Sequence, residues 1–424
     1  MDRRQTMDSS DSHSTAGAAA PDVCEQVARR HPLLPRGKPP CPPLDKRLDQ
    51  IRTRARNATQ GSDQPLLSAA QAHNLAALTA SDCGMAQLAR DLCAGQAAIL
   101  LRAGGDDAAT AKLALQPLIN LGRLLIRDGD ESGHHHFERL FTAAKSRTDT
   151  VIAGIPISFS ELTATQEDHR TIVQWLWSIL LSDGTRALTQ TGRWSQALQH
   201  IQRHNAIGRR LLDGRQTAVL AHSACGDPDY ALQLLDSSHT ESPWEHTVAA
   251  TLRVLCRSRA GRDRPPDIEE IVERYPQAEK TVREHSAFRV RQGLCVIDLA
   301  MGLPGTHHIT EAVVHDALEA EDASLAHDVL THRTCRARLA PSTAATLQER
   351  IDASGLGQGT LPAEARRDLM ESVRTSEKAL KNALNPSSRT DASTGQGVAP
   401  DTGTEAPRER PEGINEHPHR HGVA

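Results

Sequence analysis

Aromatic side chains are scarce in this 424-residue chain, which has four Phe, two Tyr and four Trp. So few rings disfavour a nucleic-acid stacking platform or a large aromatic-lined cofactor pocket. Lysine is scarce too, with 7 Lys against 42 Arg, and alanine is abundant. Both biases suggest a GC-rich coding sequence rather than an activity. No stretch approaches 18 apolar residues, and the best candidate, Ile172 to Leu181, is about half that length, so no transmembrane helix is expected. Asp2, Arg3 and Arg4 are followed by no apolar signal segment, and Ala16 to Pro21 is small and short. A cytoplasmic protein with no membrane partner is the expectation. The formal charge of −4 is near balance, which speaks against nucleic acid as the partner of the whole surface.

Motifs of chemistry are missing as well. There is no Walker A sequence, no HExxH and no GxSxG. Gly355-Leu-Gly357-Gln-Gly359 follows an amphipathic helix rather than a strand and lacks the GxGxxG spacing of a phosphate loop. The eight cysteines lie singly with no CxxC pair, most of them among Leu, Ala and Val, and read as small hydrophobes. His134-His135-His136 opens a helix, where successive side chains diverge by about 100° and cannot all face one ion. His417-Pro-His419-Arg-His421 sits in a polar tail without a rigid frame and would bind metal only adventitiously. No catalytic residue, cofactor site or metal site is predicted.

What the chain does have is helical periodicity. Apolar residues recur at three- and four-residue spacing from about residue 46 to 383, with Gly, Asp, Asn or Pro at most junctions. Short connections favour antiparallel neighbours. Residues 1–21 and 385–424 are polar, with too little apolar area to offset the entropy of ordering, and are expected to be disordered tails. Residues 22–57 form a basic, Pro-rich arm and helix, and 58–384 the main helical region, with a sub-boundary expected near 258–266. Thr150 to Phe159 is β-branched and contains Gly154 and Pro156; an extended loop over a helical core is expected there. The helix holding Trp175 and Trp177 is apolar on nearly all faces and is assigned to the interior.

A self-similarity at 34 residues organises the middle of the chain. Ala187, Gly192, Ala197, Leu198 and Gln199 recur as Ala221, Gly226, Ala231, Leu232 and Gln233. Glycine would end the first helix of each pair, and the small alanine lets the second helix approach it. The period and these positions resemble the tetratricopeptide (TPR) family over about 60 residues. Gly192 and Gly226 match its turn glycine, Ala197 and Ala231 its small second-helix residue, and Ile201 and Leu235 the large apolar position after it. Pro243 falls where the family often closes a repeat. Thr185, Val219, His204 and Ser238 depart from its small positions. The resemblance implies an all-α fold of antiparallel helical hairpins stacked into a TPR-like solenoid, of the degenerate kind found in regulators of GC-rich bacteria. It also implies a concave groove for peptides, proteins or small signals.

Two charged clusters are the candidate sites. The first is the arm, with Arg29, Arg30, Arg36, Lys38, Lys46, Arg47, Arg52, Arg54 and Arg56. It reads either as an arm for an acidic partner or nucleic acid, or as a solvated surface segment, and no helix-turn-helix precedes the repeats. The second joins the two repeats. Arg209, Arg210 and Arg215, with Asp213 and Gln216, could receive a carboxylate or phosphate in the groove. Equally, Gly208 and Gly214 could be helix stops whose ends are satisfied by Arg–Asp pairs. The expected function is a non-enzymatic, cofactor-free scaffold binding a protein or peptide, with a regulatory role. The alternative is a small-molecule-responsive transcriptional regulator whose basic arm contacts DNA. A third reading is an enzyme without a recognisable motif, and nothing in the sequence fixes an oligomeric state.

Overall fold

The computed structural model describes residues 23–37, 39–60, 64–102 and 107–384. The expected tails, and Lys38 of the arm, lie outside the described residues. The described chain is all-helical apart from one hairpin, and no helix in it is long and apolar enough to cross a membrane.

The helices run α1 (Val23–Arg30), α2 (Leu44–Asn57), α3 (Pro65–Asp82), α4 (Ala86–Arg102), α5 (Ala108–Arg127) and α6 (Ser132–Ser146). After the hairpin of β1 (Thr150–Ile152) and β2 (Ile155–Ile157) come α7 (Gln166–Ile179), a π-helical turn (Leu180–Gly184), α8 (Thr185–Gln190) and α9 (Trp194–Arg203). Then follow α10 (Asp213–Ala224), α11 (Pro228–Asp236), α12 (Pro243–Arg259), α13 (Pro265–Thr281) and α14 (Ser286–Leu299). The last are α15 (Thr306–Glu319), α16 (Ala323–Thr331), α17 (Arg333–Arg338), α18 (Pro341–Ser354) and α19 (Ala363–Ala383).

Local chemistry sets many of these boundaries. Asp107, Thr165 and Asp227 each accept a backbone N–H in the first turn of the helix they precede. Ser242 and Glu245 form a capping box on α12, with Pro243 at its first position. The two repeat glycines take the left-handed conformation a helix stop requires, with φ of +72° at Gly192 and +90° at Gly226. Ala197, Ala231, Ile201 and Leu235 are all buried.

The apolar core has three parts. One draws on residues 48–187 and 361–380. A second joins residues 27–33 of the arm to 194–295, and a third spans 250–351. Residues 258–266 include the turn between α12 and α13; these two helices pack together, and α12 contributes to both the second and third parts. The chain thus forms a first block, α2–α8 with α19, and a second block, α1 with α9–α18.

Two connections bring the blocks together away from the α8–α9 junction. The arm leaves α1, which packs on α12 and α14, and crosses the second block before α2 joins α3 and α19. Leu33 N–H donates to Gln216 Oε1 at 2.8 Å, and Cys41 N–H to Asp322 Oδ1 at 3.0 Å. At the other end Gly355, Gly357 and Gly359, all at φ near +70°, form a strap against the end of α3. Gly357 and Gly359 N–H donate to the carbonyls of Asp82 and Cys83 at 2.8 and 2.7 Å. These amides are therefore committed to backbone, not to a phosphate.

Residues 23–30 of the arm form a helix, with Val27 and Ala28 fully buried on the second block. Three expectations need correction. Thr150 to Phe159 is an antiparallel hairpin and not a loop; Ala153 and Gly154 both take positive φ, the turn that matches strand twist, and α4 and α6 cover it. Trp177 is 37% exposed, and Trp175 is half-buried with the Lys112 ammonium 5.9 Å from its ring centre. Gly214 is no helix stop: it lies in the first turn of α10, where a Cβ would stand 2.1 Å from the Ala206 carbonyl oxygen. Among the cysteines, Cys225 is exposed, whereas six others are buried.

Candidate functional site

Most basic residues of the arm pair within the chain, although only Arg30 and Arg47 are largely enclosed. Arg30 Nη1 lies 2.6 Å from Asp298, which also accepts from His332 Nε2 at 2.9 Å. Burial works against the Asp298 charge, but His332 and Arg30 outweigh it and hold the carboxyl below the usual range. Arg29 pairs with Glu25, Arg36 with Asp213, and Lys46 with Glu321. Arg47 is buried, 3.5 Å from Asp82 and donating to the Ser354 carbonyl. Arg52 bridges Asp49 and Asp368, and Arg54 donates to Gln71 at 2.8 Å. Arg56 is exposed.

The second cluster separates. Arg215 is buried and donates to the Gly208 and Leu234 carbonyls and to Ser237 and Ser238. Gln216 is fully buried and is bonded to both backbone groups of Leu33 and to the Leu211 carbonyl. Asp213 accepts from Arg36, and Arg210 pairs with the buried Glu245 at 2.8 Å. Arg209 is exposed. Asp213 and Gln216 tie the arm to α10, while Arg210 and Arg215 bond α12 and the end of α11.

The concave site is elsewhere. A cavity of about 510 Å³ opens between α2, α3 and α5, with Pro39 of the arm at its rim. From α3 it takes Gln71, Asn74, Leu75, Ala77, Leu78 and Ser81, and from α5 Gln116, Asn120, Arg123, Leu124 and Arg127. The intervening α4 gives only Cys93, so alternate helices present their faces to one side. Leu75, Leu78 and Leu124 supply apolar floor, and the carboxamides form a connected row. Gln116 Nε2 donates to Asn120 Oδ1 at 3.2 Å, and Asn120 in turn donates to Asn74. Arg54, Arg123 and Arg127 surround this row, and no carboxylate lines the cavity. Arg123 and Arg127 are oriented from outside it by Asp183 and Asp82. Of these residues, sequence analysis singled out Arg54 alone.

A second constellation lies at the α6–α9 seam between the blocks. Glu138 Oε1 has His200 Nδ1 at 3.0 Å, His204 Nε2 at 3.0 Å and His134 Nε2 at 3.8 Å. His134 and Glu138 are one turn apart on α6; His200 and His204 are one turn apart on α9 and its cap, so each pair shares a face. Hydrogen bonding from His200 holds the Glu138 carboxyl down to about 2; burial opposes this and His204 adds to it. Burial, with repulsion from His200, pushes His134 down to about 4. The π-helical turn lies directly behind: His200 Nε2 is 3.2 Å from the Leu180 carbonyl, and a Cβ at Gly184 would come 3.6 Å from the same nitrogen. As the helical divergence requires, His135 points to solvent and His136 to the Leu118 carbonyl at 2.7 Å. The readable signal was the four-residue spacing within each pair; the 62 residues between the pairs hid their meeting.

No known family model, curated protein or solved structure matches the chain.

Proposed function

We propose that the chain is a non-enzymatic helical scaffold of TPR-like hairpin architecture that holds an extended, acidic segment of a partner protein in the α2–α3–α5 cavity. The observation that carries the reading is the cavity wall, where carboxamides and arginines from alternate helices surround an apolar floor without any carboxylate. Carboxamides both donate and accept, and so suit the backbone of an extended peptide, whereas guanidinium forks suit its carboxylates. We propose a regulatory role for the chain in the cytoplasm. The regulator alternative, with the arm on DNA, draws less support, because Arg30 and Arg47 are held in largely buried pairs within the chain.

Selection of displayed peptides on the immobilised full chain tests the proposal. The expected winners carry Asp or Glu beside a leucine-sized residue and bind at least tenfold more weakly to an Arg54→Ala/Asn120→Ala variant. Winners without acidic residues, or equal binding to that variant, would remove the cavity from the account.

A further inference from the structure

We infer that His134, Glu138, His200 and His204 form a binding site for one borderline divalent transition ion, Zn²⁺ in the first instance, which staples the two helical blocks. The proposal is independent of the peptide cavity.

Three imidazole nitrogens converge on a single carboxylate oxygen, at 3.0, 3.0 and 3.8 Å. Zn–N and Zn–O bonds of about 2.0–2.2 Å in a tetrahedron place neighbouring ligand atoms about 3.3 Å apart, near the 3.0 Å that His200 and His204 keep from Glu138. Ligand atoms of His134, Glu138 and His200 lie within 4.8 Å of one another, and His204 reaches this group through the Glu138 oxygen. Three imidazoles with one carboxylate suit zinc or a neighbouring first-row ion better than calcium or magnesium, which prefer oxygen.

His200 supplies the second observation. Its Nε2 faces the Leu180 carbonyl and its Nδ1 faces the Glu138 carboxylate, so both ring nitrogens meet acceptors. A neutral imidazole has one N–H. A metal ion can take the place of the proton between Nδ1 and Glu138 while the Nε2 proton stays donated to the Leu180 carbonyl. The Leu180 carbonyl is then the outer-shell acceptor that orients a metal-bound histidine. The π-helical turn, a feature frequent at functional sites, brings that carbonyl there.

The site's location assigns its role. His134 and Glu138 belong to the first block, and His200 and His204 to the second. The side chain of His200 is 2% exposed and that of Glu138 17%, and four protein ligands would leave no open position, the mark of a structural site. On binding, four lone-pair donors close around the ion, and the protons shared between the imidazoles and Glu138 leave to solvent.

The test is titration of the chelator-stripped full chain with Co²⁺, read by its visible absorption, followed by displacement with Zn²⁺. One Co²⁺ per chain with the strong bands of four-coordinate geometry, bleached by one equivalent of Zn²⁺ with a rise in Tm, is the expected result. Glu138→Gln and His200→Gln should each weaken uptake at least tenfold. Replacing His307 and His308, or the three histidines of 417–421, should leave it unchanged. Absence of stoichiometric uptake by the natural chain overturns the proposal, as does full uptake by both seam variants or loss of uptake with the tail histidines. If a seam variant does not fold by circular dichroism, the cobalt spectrum of the natural chain decides.

Discussion

Arg47 and Asp82 stand 3.5 Å apart, both largely buried, where the strap after α18 docks on the end of α3. Arg47 also donates to the Ser354 carbonyl, so one side chain of the arm joins α3 and α18, two elements far apart in sequence. Removing a buried charge partner costs more than the net worth of the pair, because the remaining polar groups are left unpaired. Arg47→Met is expected to destabilise the chain by about 3 kcal/mol in urea unfolding. Lys46→Ala, at an exposed pair with Glu321, should cost less than about 1 kcal/mol. Similar losses for the two would contradict this placement of the arm.

Gln216 and Arg209, alike as groove candidates in sequence, should behave oppositely. Gln216→Leu strips hydrogen bonds from the backbone groups of Leu33 and from the Leu211 carbonyl. A loss of about 3 kcal/mol, with faster proteolysis within residues 31–43, is expected. Arg209→Ala should stay within about 0.5 kcal/mol. Thermal melts of both variants check the contrast.

Gly214 faces the Ala206 carbonyl with no space for a methyl group. Gly214→Ala should cost about 1–3 kcal/mol through overpacking. Gly208→Ala should be nearly neutral, since nothing lies within 4 Å of the added carbon. Equal melting temperatures for the two variants would show that α10 can move aside.

Acid should weaken the fold through buried neutral histidines. Burial pushes His73 from 6.5 down to about 4, opposed by its hydrogen bond to the Leu92 carbonyl, and His31 is likewise pushed down to about 4. The unfolded chain takes up these protons first, so stability is complete above about pH 6.5 and falls as pH drops toward 4. His73 alone should contribute about 2 kcal/mol of that loss by pH 5. Tm measured across this range should flatten in a His73→Gln variant; an unchanged slope would assign the effect to other groups.

How much of this was legible depended on whether a feature is local. Gly192 and Gly226 announced two helix stops because the left-handed conformation is a property of single residues. Leu44 to Asn57 read as a helix and is one, since its apolar spacing is contained in one segment. The same reasoning buried Trp177, whose exposure depends on which face of α7 its neighbours α5 and α6 leave uncovered. Arg215 and Gln216 have residue types suited to a surface, and only the crossing of the arm over α10 encloses them. For the same reason His204, a departure from the repeat pattern, gained its partners only when α6 came alongside. The cavity was missed because neutral Asn and Gln carry no periodic signal.

The central claim, that α3 and α5 form the receptor surface, is tested most directly by hydrogen exchange of the full chain with and without a selected acidic peptide. The account predicts added protection within residues 71–81 and 116–127 and none within 209–216. Protection centred on 209–216, or an unchanged pattern at saturating peptide, would contradict it.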